Sequence, residues 1–352
     1  MADRIRVGIS GWGNVGRGVS LAVPKNPDME LVRIFSGDPR RVLDEFERKG
    51  ERPPVPVSQL YLDDRIAGAA KEIDVLILCG GSATQLPIQG PALARFFNTV
   101  DSFDTHAHIP PYIDDKTQEQ MAGYLADVHS NAKPTRHSAV ISIGWDPGVF
   151  TAEKLLAETF LPGAKAYAFY GLTERGGVSQ GHSDAARRVN GVIDARSYTH
   201  AIPEAIELVR AGGNPVLKAG DTHWREVFVT PEKGEDLERI ANEIKSNPQY
   251  YAAYRTEVKF IPLEEMKAKH SAMPHDGLVI AVGETSPGKK STIEYKLRLD
   301  SNPEFTGNVM TAYARAVYRA NQQGRLGALR SCLDFTPAET SSLGYDALVK
   351  KI

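Results

Sequence analysis

The chain has 352 residues, 41% hydrophobic and 24% charged, a balance typical of a folded water-soluble protein long enough for two domains. Its formal charge of −2 lacks the basic excess that nucleic-acid binding requires. Cys79 and Cys332 are too few for a disulfide framework and lack zinc-site spacing, so we expect no metal and a cytoplasmic location. No apolar run reaches the roughly 18 residues of a membrane span.

The first 36 residues have the pattern of a strand, a glycine-rich turn, a helix and a second strand. The predicted elements are a strand over Ile5–Ser10, a helix over Val15–Val23 and a strand over Glu30–Phe35. Gly11, Gly13 and Gly16 have the spacing that permits a tight turn, close approach of a pyrophosphate and close helix–strand packing. The pattern predicts a Rossmann-type βαβ unit and a nicotinamide-dependent oxidoreductase.

The end of the second strand bears on which nicotinamide cofactor binds. An NAD enzyme would place an acidic residue there for the ribose 2′-hydroxyl, whereas this chain has Ser36 followed by Arg40 and Arg41. Guanidinium groups suit a 2′-phosphate, so the sequence favours NADP. The alternative is that Asp38 bonds the ribose while the arginines cover a helix face, which would favour NAD.

The remaining pattern predicts an α/β fold with two domains. Strands over Ile73–Cys79, Phe97–Val100 and Ala139–Ile143, with a helix over Gln118–His129, complete a doubly wound parallel sheet. Helices become sparser after Gly148, and the predicted elements are strands over 164–171, 224–230, 256–261, 278–283 and 291–299. We expect a Rossmann domain over residues 1–148, a second α+β domain with a mostly antiparallel sheet over 149–302, and a helix over Thr306–Gln323 that returns residues 303–352 to the first domain.

Acidic residues follow two of the predicted parallel strands. Asp101 and Asp104 come just past one strand, and Asp146 comes just past another. Because ligands of open α/β sheets bind beyond the carboxyl ends of strands, these carboxylates could converge on a substrate ammonium group and accept a proton from it. The alternative is that Asp101 and Asp104 cap a helix and Asp146 starts a turn at Pro147.

Polar residues of the second half carry less information individually. Ser179–Asp184 is a polar loop that we expect to precede a helix beginning near Asp184, and His182 within it is more typical of a structural histidine than of a catalytic one. Arg225, His275 and Asn302 lie among later strands and turns, and their spacing alone does not unite them.

Seven motifs together resemble the meso-diaminopimelate dehydrogenase family over nearly the whole chain. They are Gly11–Gly16, Cys79–Thr84, Thr99–Asp104, Gly144–Gly148, Ser179–Asp184, Met273–His275 and Asn302–Pro303. The resemblance implies a Rossmann domain, a dimerisation and substrate-binding domain, a C-terminal return to the first domain, and a homodimer. It also implies NADP-dependent oxidative deamination of the D-centre of meso-2,6-diaminopimelate to L-2-amino-6-oxopimelate, which cyclises to tetrahydrodipicolinate, and ammonia. The reverse reductive amination would serve lysine biosynthesis.

The resemblance also implies roles for individual residues. The D-centre amino group would face the catalytic carboxylates Asp101 and Asp146, with Asp104 close by, in a pocket lined by Trp145, Gln180, Gly181 and Asp184. The distal carboxylate would be held by Thr199, Arg225, His275 and Asn302. The cofactor would contact Gly11, Gly13, Asn14, Val15, Gly16, Ser36, Arg40, Arg41, Cys79, Gly80, Gly81, Ser82 and Thr84.

Two departures from the family pattern bear on specificity. Gly37, Asp38 and Pro39 separate Ser36 from the arginines, which makes NAD a possible cofactor, and the segment Leu172–Gly176 is longer than usual beside a pocket wall. A broad D-amino acid dehydrogenase is therefore an alternative, as is a cofactor-binding regulatory protein without chemistry. A semialdehyde dehydrogenase lacks support because no nucleophilic cysteine lies in an acyl-transfer motif.

Overall fold

The computed structural model describes residues 4–114 and 117–352. They form two compact units, one containing the chain up to Thr151 together with Pro303–Ile352, the other Ala152–Asn302. Within the described ranges, no helix is both long and apolar enough to cross a membrane.

The first unit begins with alternating strands and helices. The strands are β1 (Ile5–Ser10), β2 (Met29–Ser36), β3 (Val57–Gln59), β4 (Val75–Leu78), β5 (Asn98–Asp101), β6 (Tyr112–Ile113), β7 (Gln120–Met121) and β8 (Ser138–Val140). The helices are α1 (Asn14–Ala22), α2 (Pro39–Arg48), α3 (Ala67–Ala70), α4 (Leu86–Ala94), α5 (Tyr124–Ala132) and α6 (Val149–Phe160), the last running into the second unit.

The second unit contains more helices than the sequence predicts. Its strands are β9 (Ala166–Tyr170), β10 (Gly177–Ser179), β11 (Val192–Ala201), β12 (His223–Pro231), β13 (Arg255–Phe260), β14 (His275–Ser286) and β15 (Lys289–Leu299). Its helices are α7 (Gln180–Arg187), α8 (Pro203–Ala211), α9 (Ala219–Thr222), α10 (Leu237–Ser246) and α11 (Leu263–Lys269). The expectation of sparse helices in this half is therefore wrong.

The chain then returns to the first unit through α12 (Asn302–Gln322), β16 (Gly327–Leu329), α13 (Pro337–Thr340) and α14 (Tyr345–Val349). Helix α12 crosses α1 closely, because a Cβ on Gly307 would lie 2.5 Å from the carbonyl carbon of Gly18. The Arg315 side chain of α12 is 1% exposed and donates bonds of 2.6 and 2.7 Å to the two carboxylate oxygens of Asp28. This paired, buried guanidinium fixes the C-terminal segment beside the β1–β2 connection.

The first unit is built on one parallel sheet with strand order β16-β8-β5-β4-β1-β2-β3. Every neighbouring pair in it is parallel. The strand order reverses direction between β1 and β4, which is the switch point where open α/β sheets bind ligands. Strands β1 and β4 are apolar because both faces of a parallel sheet are covered, and Val7, Ile9, Leu76 and Ile77 are fully buried. The predicted Rossmann-type fold is confirmed.

The second unit contains two smaller sheets. In the four-stranded sheet β10-β11-β12-β13 the first two pairings are antiparallel and the last is parallel, while β15-β14-β9 is antiparallel throughout. Helices α7 and α10 pack on the first sheet through Ala186 and Ile240, and α8 packs on the second through Val209. The mostly antiparallel α+β architecture is confirmed.

Three predicted helix starts are wrong, and one of them is that of α12, which begins at Asn302 and not at Thr306. The helix expected from Gln118 begins at Tyr124, because Gln120 and Met121 pair with Ile113 and Tyr112, respectively, as antiparallel strands. Gly123, with a φ of 84°, then turns the chain into α5. Helix α7 begins at Gln180, four residues before the predicted start near Asp184.

Candidate active site

The glycine turn lies at the switch point of the parallel sheet. Gly11 has a φ of 100°, and a Cβ there would lie 3.2 Å from the carbonyl carbon and oxygen of Cys79, at the end of β4. A Cβ on Gly16 would lie 2.1 Å from the carbonyl oxygen of Gly11. By contrast, no described atom lies within 4 Å of a Cβ built on Gly13, which leaves open space at the N-terminus of α1. The turn fits a pyrophosphate there, beside the α1 residues Asn14 and Val15.

The loop after β4 forms the other wall of this switch point. The Cys79 N–H donates to the Ser10 carbonyl at 2.7 Å, and the glycines Gly80 and Gly81 follow. Burial raises the pKa of the Cys79 thiol, so this side chain stays protonated and is not a nucleophile. Farther along the loop, the Ser82 hydroxyl accepts a 2.7 Å bond from the Asp104 N–H. Ser82 and Thr84 therefore belong to a loop that is tied to the end of β5.

The Ser36–Arg41 segment offers one unpaired cation. Ser36 Oγ donates to the Asp38 carbonyl at 3.0 Å, and the Asp38 carboxylate caps α2 by accepting from the Arg41 N–H at 3.0 Å. Arg40 Nε pairs with the carboxylate of Asp44 at 2.8 Å. The Arg41 guanidinium has no hydrogen-bond or ion-pair partner within the described chain, so of the two arginines Arg41 has the charge that is not already neutralised by a carboxylate.

Asp101 is the last residue of β5 and is 1% exposed. Its Oδ1 accepts 3.0 Å bonds from the N–H groups of Phe103 and Ser142, and its Oδ2 accepts a 2.7 Å bond from the Tyr124 hydroxyl. Burial outweighs these bonds and raises the pKa of the carboxyl to about 6. Asp101 is thus a charged anchor between two strand ends at neutral pH, with little exposed surface of its own.

The Gly144–Gly148 segment is a tight turn that presents Asp146. The Gly144 N–H donates to the Pro147 carbonyl at 2.7 Å, across a cis Asp146–Pro147 bond. Trp145 is buried and its ring meets that of Phe150 edge-on at 5.2 Å between centroids. Asp146 is half-buried. Since the Ser142 N–H is bound by Asp101, the carboxylate of Asp101 fixes the start of the segment that carries Asp146.

Asp104 lies on the same edge of the sheet but is exposed. Strands β5 and β8 are neighbours, so Asp101 at the end of β5 and the Asp146 turn after β8 lie at the same edge of the sheet. Asp104 lies at this edge too, because its N–H is bound to Ser82 in the loop after β4. Of the alternative interpretation, the helix caps do not hold: the Asp101 carboxylate binds two loop N–H groups and a tyrosine, and the next helical turn, His106–His108, has Thr105 at its N-cap. The turn at Asp146 and Pro147 is present.

The second unit contains a buried arginine without an acidic partner. Arg225 on β12 lies opposite Thr199 on β11, to whose hydroxyl it donates, and its side chain is 5% exposed. Its Cζ lies 4.1 Å from the centroid of the Tyr254 ring. No carboxylate of the described residues pairs with it, and burial lowers its pKa. A desolvated guanidinium of this kind has the charge to bind an anion, and a carboxylate matches its planar fork of donors.

Other predicted residues lie around this arginine. Gly177 pairs with Thr199, and a Cβ on it would lie 2.5 Å from His275 Nδ1, so the missing side chain admits the imidazole. Burial lowers the pKa of His275 to about 4, which keeps the ring neutral. Asn302 Nδ2 donates to the Val178 carbonyl at 3.4 Å and its Oδ1 lies 3.4 Å from Gln180 Nε2. Thr199, Arg225, His275, Asn302 and Gln180 therefore form one polar group, the distal donor cluster.

Asp184 does not join this group in the structure. Its carboxylate pairs with Arg188 and, at 3.5 Å, with Arg187 along the same helix. Gly181 lies in the first turn of α7. The longer segment Leu172–Gly176 connects β9 to β10, and its first N–H donates to the Asp276 carboxylate at 2.7 Å.

Two contributors to this site were missed by sequence reasoning. His223 on β12 accepts a 2.8 Å bond from the Tyr170 N–H through Nε2, and burial lowers its pKa to about 3. Tyr254 supplies the ring beside Arg225. The one signal in the sequence is the tyrosine-rich run at 250–254, which by itself names no partner. His182 hydrogen-bonds Ser179 Oγ at 2.8 Å and packs edge-on against two tyrosine rings, in keeping with a structural histidine.

Comparison with known proteins places these features in a family. Residues 144–301 match the family model "Diaminopimelic acid dehydrogenase C-terminal domain". The chain is 46% identical over 353 residues to the meso-diaminopimelate D-dehydrogenase of Acetivibrio thermocellus, covering 99% of this chain and 98% of the relative. The solved structure of the Corynebacterium glutamicum DAP dehydrogenase in complex with DAP superposes with a TM-score of 0.84 at 37% identity, covering 99% of both chains. An engineered D-amino acid dehydrogenase bound to NADP⁺ gives 0.85 at 35% identity, again over 99% of both.

A parallel sheet with a glycine turn at its switch point and carboxylates along the same edge defines a nicotinamide-dependent oxidoreductase. The alignments over 99% of the chain narrow this class of oxidoreductase to one family. The chain belongs to the meso-diaminopimelate D-dehydrogenase family and is an amino acid dehydrogenase.

Proposed function

We propose that this protein oxidatively deaminates the D-centre of meso-2,6-diaminopimelate with NADP, and catalyses the reverse reductive amination in lysine biosynthesis. The observation that carries the proposal is Arg225, a buried guanidinium without an acidic partner in the described chain. A substrate with a carboxylate on its distal, non-reacting end would neutralise that charge. The family relative solved with DAP supports the same substrate.

Binding at the distal end rests on the distal donor cluster. A carboxylate there would accept from Arg225 and from the neutral imidazole of His275, while Thr199 and Asn302 bind the flanking groups. A substrate without that carboxylate would leave the buried Arg225 guanidinium without an anionic partner among the described residues, which disfavours its binding strongly. The cluster therefore supports a two-headed amino acid over a simple one.

At the reacting end the carboxylates attract and orient the substrate ammonium group. Asp146, half-buried at its turn, is the group that we assign to the amine and to acceptance of its proton, with Trp145 as the apolar wall. Asp101 holds the start of that turn through the Ser142 N–H and contributes negative charge. Asp104, in the loop bound to Ser82, contributes a further negative charge. A bound oxidised nicotinamide would supply the acceptor for the hydride that leaves the D-configured carbon. The resulting iminium is hydrolysed by water, which releases ammonia.

The test is an assay of reduced cofactor with purified protein, NADP and meso-diaminopimelate. Turnover is expected with the meso isomer and not with the LL isomer, which has no D-centre. Turnover of simple D-amino acids without turnover of meso-diaminopimelate would instead favour a broad D-amino acid dehydrogenase, the activity named for the engineered relative that this chain resembles in fold.

The preference for NADP rests on Arg41. Replacing Arg41 with alanine should raise the KM for NADP about tenfold or more and leave the KM for NAD unchanged, because one charge-assisted bond to the 2′-phosphate is lost. Initial rates with both cofactors measure this. Arg48→Ala on the same helix is the control and should change neither KM. A wild-type protein that binds NAD more tightly than NADP would refute the assignment of Arg40 and Arg41 to a phosphate.

We infer that the protein is a homodimer. On α6, Leu155, Leu156 and Phe160 are 40%, 46% and 63% exposed and lie on one helix face, a surface that a second copy would cover. Phe160→Glu should weaken dimerisation by about 30-fold or more, as expected for a central apolar contact. Light scattering across a dilution series measures the mass. Leu208→Glu, at an isolated exposed leucine on α8, should stay dimeric; equal behaviour of the two variants would place the interface elsewhere.

A further inference from the structure

A tyrosine that belongs to neither the cofactor motifs nor the substrate motifs contacts the buried Asp101 carboxylate. Tyr124, the first residue of α5, is 4% exposed, and its hydroxyl donates to Asp101 Oδ2 at 2.7 Å. Asp101 itself is 1% exposed. A neutral donor bound to a buried carboxylate favours the charged form, so the contact affects both charge and orientation.

The surrounding chain leaves a space shaped for this tyrosine. A Cβ on Gly90 of α4 would lie 1.9 Å from the Tyr124 hydroxyl oxygen, so the absence of a side chain there gives the hydroxyl its place. The Phe103 ring stacks on the Tyr124 ring with centroids 4.0 Å apart. The same Phe103 donates its N–H to Asp101 Oδ1. Tyr124 is thus held from two sides with its hydroxyl directed at Asp101.

The other contacts of Asp101 lead to the turn that carries Asp146. Asp101 Oδ1 accepts from the N–H of Ser142, a non-glycine residue with a φ of 59°. The backbone carbonyl of Asp101 accepts from the Ile143 N–H at 2.7 Å. Such a backbone conformation is costly and persists only where neighbouring groups hold it. The Asp101 carboxylate is one of those groups, and the Gly144–Gly148 turn begins two residues later.

We propose that Tyr124 is a positioning residue for the reacting end of the site: its hydroxyl keeps the Asp101 carboxylate charged and oriented, and Asp101 in turn holds the segment that presents Asp146. The catalytic consequence of this proposal rests on the proposed function. The contact between Tyr124 and Asp101 is independent of it.

The direction of the effect follows from the groups around Asp101. Burial raises its pKa to about 6, while the N–H groups of Phe103 and Ser142 and the Tyr124 hydroxyl lower it. Of the described titratable side chains, Tyr124 alone has a contact that shifts this pKa. Loss of its hydroxyl removes a donor to the charged form, so the pKa rises. Asp101 would then be protonated over a wider acidic range.

The direct measurement is a ¹³C NMR titration of aspartate carboxyl carbons in the free protein, with the Asp101 resonance identified through Asp101→Asn. Tyr124→Phe should move the Asp101 titration upward by about one pH unit. In the pH profile of kcat/KM for meso-diaminopimelate, the midpoint of the acidic limb should also move to higher pH. Tyr313→Phe, at a part-buried tyrosine on α12 outside the site, should move neither.

A second probe covers the case in which Tyr124→Phe fails to fold. Incorporation of 3-fluorotyrosine at position 124 makes the hydroxyl a stronger donor with almost no change in size, and should lower the Asp101 titration. An unchanged Asp101 pKa in both the Tyr124→Phe and the 3-fluorotyrosine proteins would overturn the proposal. A shifted Asp101 pKa without a shift in the acidic limb of the kcat/KM profile of an active enzyme would overturn it as well. A wild-type protein inactive on meso-diaminopimelate would refute the proposed function, and the titration would still decide whether Tyr124 controls Asp101.

Discussion

Replacing Arg225 with methionine is expected to lower kcat/KM for meso-diaminopimelate by about two to three orders of magnitude. Arg225 is 5% exposed; its guanidinium donates to the Thr199 hydroxyl and lies over the Tyr254 ring, and neither of these groups is a carboxylate. The substrate carboxylate that we assign to it would lose its cationic partner while remaining desolvated. Steady-state kinetics with meso-diaminopimelate measure the loss.

The same substitution should leave the free protein as stable as before or more stable. Burying a cation without an acidic partner costs free energy, and methionine fills a similar volume without a charge. Thermal unfolding is therefore expected to show an unchanged or higher Tm alongside the loss of activity. Arg255→Met, at an exposed arginine on the neighbouring strand β13, is the control and should keep full activity. A large drop in Tm with Arg225→Met would show that the arginine is structural.

The parts of the fold that the sequence predicts are those fixed by contacts close in the chain. Gly16 can be interpreted from spacing alone, because a Cβ there would meet the Gly11 carbonyl oxygen of the same turn. Gly11 is identified by its positive φ within that turn, whereas the atoms that would crowd a Cβ on it belong to Cys79, far along the chain. The helix α12 was predicted because its apolar pattern is long, and Gly324, with a φ of 74°, follows its end as expected.

The register between strands, by contrast, cannot be predicted from the spacing of residues along the sequence. Strand β11 escaped prediction because its charged and hydroxyl residues break the apolar alternation, yet it carries Thr199 opposite Arg225. His275 joins them only because Gly177, on a third strand, has no side chain. The distal donor cluster therefore depends on pairings between segments that are far apart in sequence, and family resemblance united these residues where periodicity did not.

The acidic edge shows a different limit. The sequence grouped Asp101, Asp104 and Asp146 by their positions after strands, but their environments differ: Asp101 is buried among three donors, Asp146 is half-buried and Asp104 is exposed. Nothing in the local sequence identifies Tyr124, 23 residues from Asp101, as the source of one donor. The difference in burial is the reason that we propose an anchoring role for Asp101 and a substrate-facing role for Asp146.

Asp146→Asn is expected to lower kcat for meso-diaminopimelate at neutral pH by about two to four orders of magnitude. Hydride can leave the D-configured carbon only when the neighbouring nitrogen has an available lone pair, and the amine reaches the enzyme as an ammonium group. Asparagine keeps the size of the side chain and can still accept a hydrogen bond, but it cannot take up the proton. Rates under substrate saturation across a range of pH measure the effect.

The pH dependence distinguishes proton acceptance from charge alone. As the pH rises, more of the substrate amine is already neutral, so the ratio of wild-type to Asp146→Asn kcat should shrink on the alkaline side. A ratio that stays constant with pH would assign Asp146 to electrostatic orientation of the ammonium group, and an unchanged kcat would remove it from the chemistry. Asp127→Asn, at an exposed carboxylate on α5, controls for the loss of one negative charge and should match the wild type throughout. Because Asp101 fixes the Ser142 N–H that precedes the Asp146 turn, a normal Asp101 titration in the Asp146→Asn variant would show that the anchor is intact and that the lost rate belongs to Asp146 itself.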